Sequence, residues 1–299
     1  MNLLRVVQPS PVCRNGVLSK VILMAVLGVA AACTADSQPT DSEDTEVGGD
    51  TEVSDDTDPD TDTDVDTDTD VDTDTDVDTD PPAPLRVVVF SKTEGFRHGS
   101  IKDGLTLIED LSSEQGWTLT ATEDGGDLAA ALPNTDVVVF LSPTGDVLNG
   151  SEQDALEAFV RGGGGWVGVH AAADCEYDWP FYGELVGAWF KRHPSVQSAR
   201  IQVEDDSAPA TKELPNPWER TDEWYDFRTN PRDQVQVLLT LDEASYRGGE
   251  MGEDHPIAWQ HRIDSGRAFY TGLGHTSGTY SEPLFQGHLR GGIEWVSGR

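Results

Sequence analysis

The chain has 299 residues, 55 of them acidic and 20 basic, for a formal net charge of −35. A surface this acidic repels nucleic-acid phosphates and anionic lipid, which excludes nucleic acid as a partner. Of the three cysteines, Cys13, Cys33 and Cys175, only Cys175 falls in the part able to fold. That part therefore has no internal disulfide, and the chain has no C-x-x-C or zinc-finger spacing.

Taken in chain order, residues 1–33 read as an export signal. Arg5, Arg14 and Lys20 precede an apolar run over 21–32 that ends Ala30-Ala31-Ala32-Cys33. Such a run suits a signal peptide and is short of the roughly 20 residues a spanning helix needs. Small residues directly before Cys33 resemble a bacterial lipobox, although Ala30 stands where Leu is usual. The resemblance implies lipidation at Cys33, with plain signal cleavage or an uncleaved anchor as the alternatives. Thr34 supplies no Asp retention signal, which implies an outer-membrane or surface lipoprotein, or a periplasmic or secreted protein if the lipid is absent.

Residues 34–84 hold 21 acidic and no basic side chains, with Thr-Asp-Thr-Asp-Val-Asp three times in tandem over 61–78. Dense like charge with almost no apolar content buries no core, so this segment is expected to be a disordered linker, a stalk for the domain that begins at Leu85. Alternating carboxylates also raise calcium binding, but the EF-hand glycine and closing glutamate are absent.

From Leu85 the pattern becomes α/β. Residues 85–91 (LRVVVFS) and 136–141 (DVVVFL) are apolar runs suited to buried parallel strands. Between them, a helix from Ser100 to about Gln115 has apolar residues at Ile101, Leu105, Ile108 and Leu111, with Asp103 completing a capping box. A strand is expected at 117–122. Ser151 and Asp154 open a helix to about Arg161. Residues 162–170 (GGGGWVGVH) form a buried strand ending in a sharp turn. Further strands are expected at 199–203, 234–241, 256–260 and 267–271, broken by Pro209, Pro215, Pro217 and Pro231. A helix over 282–296 closes the chain. Strands alternating with helices predict a doubly wound, mainly parallel sheet with a β-rich insertion, as one domain over 85–299.

Gly168-Val169-His170-Ala171-Ala172 occupies the place where hydrolases and amidotransferases of this architecture carry G-x-S-x-G or G-x-C-x-G. The exposed residue of that elbow is His170, which argues against Ser or Cys acyl chemistry. Cys175 lies off the elbow and reads as a bystander. Open α/β sheets bind ligands at the carboxyl ends of their strands. Placed there are His98, Ser142, Thr144, His170 and His275. Each histidine alone reads as a hydrogen-bonded structural group; three at strand ends point to one shared crevice. Asp222-Glu223-Trp224-Tyr225 places carboxylates beside aromatics, which a sugar site uses and an edge strand also shows. Asp174, Tyr177, Asp178, Trp179 and Tyr182 follow the elbow, and His255 could reach the rim. His193, before Pro194, reads equally as a site residue or a loop-packing one, and His261 and His288 read as structural or surface residues. The histidines with Asp174 or Glu223 could hold a divalent metal, but no H-x-x-H or H-E-x-x-H element supports it and no cofactor is required.

Residues 85–297 resemble the ThuA-like (trehalose-utilisation) family, through VVVFSKTEGFRHGSI, GGGGWVGVHAAADCEYDWPFYGELVGAWFKRHP, TDEWYDF, VLLTLDEASY, GEDHPIAWQH and GRAFYTGLGHT. The resemblance implies a flavodoxin-like fold similar to the class I glutamine amidotransferase-like superfamily. It also implies a link to trehalose and related disaccharides or their keto derivatives, without supplying a reaction. His170 in place of the elbow Cys removes glutaminase chemistry. The leading expectation is a surface-tethered carbohydrate-processing protein with His170 as base. His98 and His275 polarise a carbonyl, and Glu223 protonates or orients a hydroxyl. Trp224, Tyr225, Asp174, Tyr177, Trp179 and His255 bind the sugar. The competing readings are a non-catalytic sugar-binding module resting on Trp179, Trp224 and Tyr225, and a metal-dependent hydrolase liganded by His98, His170 and His275. The sequence carries no signature of oligomeric state.

Overall fold

A computed structural model describes residues 83–299. The export signal ending at Cys33, and the acidic segment apart from its last two residues, lie outside the described residues.

Apolar β-branched runs make the centre of the sheet. Strands β1 (Arg86–Phe90), β3 (Val137–Leu141) and β4 (Gly165–Val169) are buried along essentially their whole length. Burial on both faces is what a central parallel strand requires. With β2 (Thr118–Thr122) and β11 (Gly266–Thr271), they form a parallel array in the order β2-β1-β3-β4-β11. This is the flavodoxin-like order, with the last strand of the chain in fifth place. The predicted fold class holds.

The crossovers are α1 (Ile101–Gln115), α2 (Gly125–Ala131) and α3 (Gly150–Arg161). The closing helix α5 (Pro283–Ser297) packs on β4 and β11 and buries Phe285, Leu289, Ile293 and Val296. A short helix, α4 (Pro180–Val186), follows the elbow turn. The β-rich insertion extends the same sheet. Beyond β11, strands β10 (Pro256–Ile263), β9 (Gln236–Asp242), β6 (Gln197–Val203) and β7 (Trp218–Asp222) continue it in antiparallel pairings. A small two-stranded sheet pairs β5 (Phe190–Arg192) with β8 (Asp226–Phe227).

Two expected caps differ. Ser100 makes no side-chain cap for α1; its hydroxyl donates instead to the Gly274 carbonyl at 3.1 Å. Helix α3 is capped by Asn149, whose side chain accepts from Ser151 and Glu152, while Glu152 reaches back to the Asn149 amide. Four elements have weak local signals. Helix α2 begins Gly-Gly, and helix α4 has Pro180 in its first turn. Strands β5 and β8 span three and two residues.

Candidate functional site

Four strand ends deliver four side chains to one point. The loop after β1 brings His98, the β4 turn brings His170, the loop after β11 brings His275, and the segment after β7 brings Glu223. Each offers one donor atom, and the four atoms lie within 4.8 Å of one another. His170 Nε2 stands 3.2 Å from His275 Nδ1 and 3.6 Å from Glu223 Oε2, and His275 Nδ1 stands 3.1 Å from that same oxygen. The His98 ring lies edge-on to both other imidazoles, at centroid distances of 4.9 and 5.2 Å.

The loops are held by buried hydrogen bonds. His170 has φ +51, the strained conformation that an elbow uses to present its side chain. Its Nδ1 lies 2.9 Å from the Gly272 carbonyl, and Tyr270 donates to the His170 carbonyl at 2.8 Å. Asp222, fully buried, accepts from the amides of Gly274 (3.0 Å) and His275 (3.1 Å) and pairs with Arg220. Gly274 has φ +118, and a Cβ there would meet the Tyr280 hydroxyl at 2.8 Å, so this turn requires glycine. Tyr280 and Ser100 both donate to the Gly274 carbonyl. Thr144, after β3, donates to the Phe96 carbonyl at 2.8 Å and fixes the loop carrying His98.

Burial sets the charges. It holds His98 down at about 3, with the neighbouring imidazoles adding to the effect, so this side chain is neutral. Its Nδ1 is buried without a hydrogen-bond partner. Burial alone would raise Glu223, but hydrogen bonds and charge from His170 and His275 outweigh it and hold the carboxyl at about 2. Glu223 is thus a carboxylate that accepts and orients, not a proton donor. The hydrogen bond to Glu223 raises His275 above the ordinary histidine value.

Three of the four, His98, Glu223 and His275, line a cavity of about 250 Å³, and His170 is fully buried behind them. Phe96, Phe190 and Tyr225 supply aromatic walls, and Asp174 and His193 supply polar ones. Asp174 and Tyr225 therefore lie where the sequence placed them. Tyr225 packs 4.3 Å from both the His170 and Phe190 rings. Tyr177 donates to Asp174 at 2.6 Å from a neighbouring cleft that it shares with Trp179. Both stand beside the cavity rather than in it.

Two expected sugar contacts are not at the site. Trp224 is fully buried and donates to the Gln197 carbonyl at 2.9 Å, because it takes the core side of the chain while Glu223 and Tyr225 take the cavity side. His255 is fully buried between Glu243 (2.8 Å) and the Tyr225 carbonyl (2.9 Å), so it braces the site from behind. Cys175 is buried against the Tyr182 hydroxyl, and burial pushes its thiol up, which makes it inert. His261 and His288 hydrogen-bond to backbone carbonyls as structural residues.

Three lining residues are not apparent from the sequence. His193, which the sequence left open between the site and loop packing, places Nδ1 3.0 Å from Glu223 Oε1. Phe96, two residues before His98, is 67 % exposed at the cavity mouth, and Phe190 lies on the short strand β5. The aromatic neighbour of a strand-end histidine was the available signal.

Fold and site together define a flavodoxin-like α/β domain with a histidine–carboxylate centre at the carboxyl edge of its sheet. The family model for ThuA, trehalose utilisation, matches residues 86–296. The chain belongs to that family, which gives it a carbohydrate-related role. It is similar to a putative ThuA-like protein of Bacteroides uniformis ATCC 8492, with 25% identity and a TM-score of 0.63, over 72% of this chain and 93% of that one. A putative ThuA-like protein of Parabacteroides merdae ATCC 43184 shares the fold, with 19% identity and a TM-score of 0.59, over 72% and 90% of the two chains. No curated protein matches the sequence.

Proposed function

We propose that this domain is an enzyme acting on a disaccharide or its keto derivative, with the His98–His170–Glu223–His275 cluster as its reaction centre. The observation that carries this reading is the convergence of the four donor atoms within 4.8 Å, with His98, Glu223 and His275 lining an aromatic-walled cavity, in a trehalose-utilisation family member. The sugar-binding-module reading loses Trp224 to the core.

A ring ketone acidifies the C–H beside it. His275, which lines the cavity, takes that proton and passes its Nδ1 proton to the buried His170 Nε2 3.2 Å away, which is unprotonated while Nδ1–H donates to Gly272. The C–H electron pair moves onto the carbonyl oxygen, and imidazole N–H donors stabilise the enolate. Transfer of the adjacent hydroxyl's proton to the enolate oxygen, with return of the abstracted proton to the former carbonyl carbon, moves the ketone one carbon along and gives isomerisation. Expulsion of a β-oxygen substituent, protonated through His275 by the His170 imidazolium, gives elimination. Glu223 holds His275 and His193 in place, and Phe96 offers a flat face to the sugar. The lipobox-like residues before Cys33 fit a cell-surface lipoprotein.

Incubation with keto-trehalose in D2O, followed by proton NMR, tests the reading. Deuterium entering the carbon beside the ketone, or release of a monosaccharide, is expected. An unchanged spectrum across a panel of keto-disaccharides would overturn it.

A further inference from the structure

We propose that His98, His170, His275 and Glu223 bind one divalent transition-metal ion. Protons are too few for the lone pairs at the centre of the cluster. The Gly272 carbonyl can only accept, so the His170 proton sits on Nδ1 and Nε2 presents a lone pair. That lone pair faces a second ring nitrogen, His275 Nδ1, and the Glu223 carboxylate. Any proton on His275 Nδ1 can serve only one of those two acceptors. His98 adds one ring nitrogen within 4.8 Å of the other three ligand atoms. Lone pairs outnumber the protons available to them, and a cation at the centre resolves the excess.

The distances also fit a single coordination shell. Ligands about 2.1 Å from a tetrahedral zinc lie about 3.4 Å from one another. The three edges among His170, His275 and Glu223 are 3.2, 3.1 and 3.6 Å, and the His98 ligand atom lies within 4.8 Å of each.

The ligands are supported from behind as well. Metal-bound histidines donate their other N–H to a carbonyl or carboxylate, and ligating carboxylates are themselves hydrogen-bonded. His170 donates to Gly272, and the second Glu223 oxygen is held by His193 at 3.0 Å. Three imidazoles and one carboxylate suit zinc, manganese, cobalt or nickel better than calcium or magnesium, which favour all-oxygen shells.

The other group with matching spacing, Asp226, Glu243 and His255, fails these criteria. Both His255 nitrogens already have partners, and Arg192 sits 2.8 Å from Asp226. Metal binding is measured without sugar, so its failure and the failure of the sugar reading are distinguishable. A bound ion would occupy the His170 Nε2 lone pair and polarise a carbonyl or hydroxyl oxygen entering the cavity, so the base role assigned to His170 belongs to the metal-free protein.

The test uses the full chain. The protein is stripped with chelator and titrated calorimetrically with Zn2+, Mn2+ and Co2+ alone, beside His170→Ala and Glu223→Gln. Metal content of chelator-free preparations is measured in parallel, and circular dichroism verifies both variants' folds. Loose attraction to the Thr-Asp segment is common to all three proteins and cancels in the comparison. One equivalent in wild type, with affinity at least about 100-fold weaker in both variants, is expected. No binding of any of the three ions, or binding unchanged in the variants, would overturn the site.

Discussion

His170 Nε2 and His275 Nδ1 lie 3.2 Å apart although 105 residues separate them in the chain. Adjacent parallel strands β4 and β11 end together, so the loop after each strand enters the same crevice. The pair is therefore only as well placed as the loops that carry it.

Ser100 joins the His98 loop to the His275 loop through the Gly274 carbonyl. Ser100→Ala is expected to cost about 1 kcal/mol of unfolding free energy by urea denaturation, with turnover falling. The mechanism is the inter-loop bond rather than a lost helix cap. Asp103→Ala, the other half of the expected capping box, should leave turnover unchanged.

Gly274 needs φ +118 and has no room for a Cβ beside the Tyr280 hydroxyl. Gly274→Ala is expected to destabilise by about 1–3 kcal/mol and to displace His275. A thermal melt matching wild type would remove this role.

Phe96 stands 67 % exposed at the cavity mouth. Phe96→Ala should leave the thermal midpoint within about 1 °C, since surface changes fall within about 0.5 kcal/mol. It should raise KM several-fold while kcat holds. An unchanged KM would mean that Phe96 does not face the sugar.

His288 gives a pH signature of stability. Burial holds it at about 4, below its ordinary 6.5, between the Ala210 carbonyl and Thr271. The unfolded chain takes up this proton first as pH falls. The contribution is therefore fully present above pH 6.5 and is lost progressively down to about pH 4, on the order of 3 kcal/mol. His288→Gln should flatten the pH dependence of urea-unfolding free energy over that window. An identical slope in wild type and variant would contradict the assignment.

The sheet was legible because β1, β3 and β4 are continuous apolar runs that only a doubly covered strand accepts. The strand-end histidines followed from that placement. Trp224 was misplaced because Glu223-Trp224-Tyr225 follows the end of β7 and no periodicity tells which side faces the core. His255 was misplaced because the groups that saturate it, Glu243 and the Tyr225 carbonyl, meet it only after strands β9 and β10 pair. His193 and Phe96 lie in loops, where direction depends on tertiary contacts such as the Thr144 bond to the Phe96 carbonyl. The two-residue strand β8 carries too short a pattern to read.

The most direct test of the proposed chemistry is the initial rate of keto-disaccharide conversion by chelator-stripped wild type and His170→Asn at equal concentration, with circular dichroism confirming both folds. Conversion by wild type is expected, with a rate lower by about 10²–10⁴-fold in the variant. A folded variant converting substrate at the wild-type rate would contradict the role of His170 as the base.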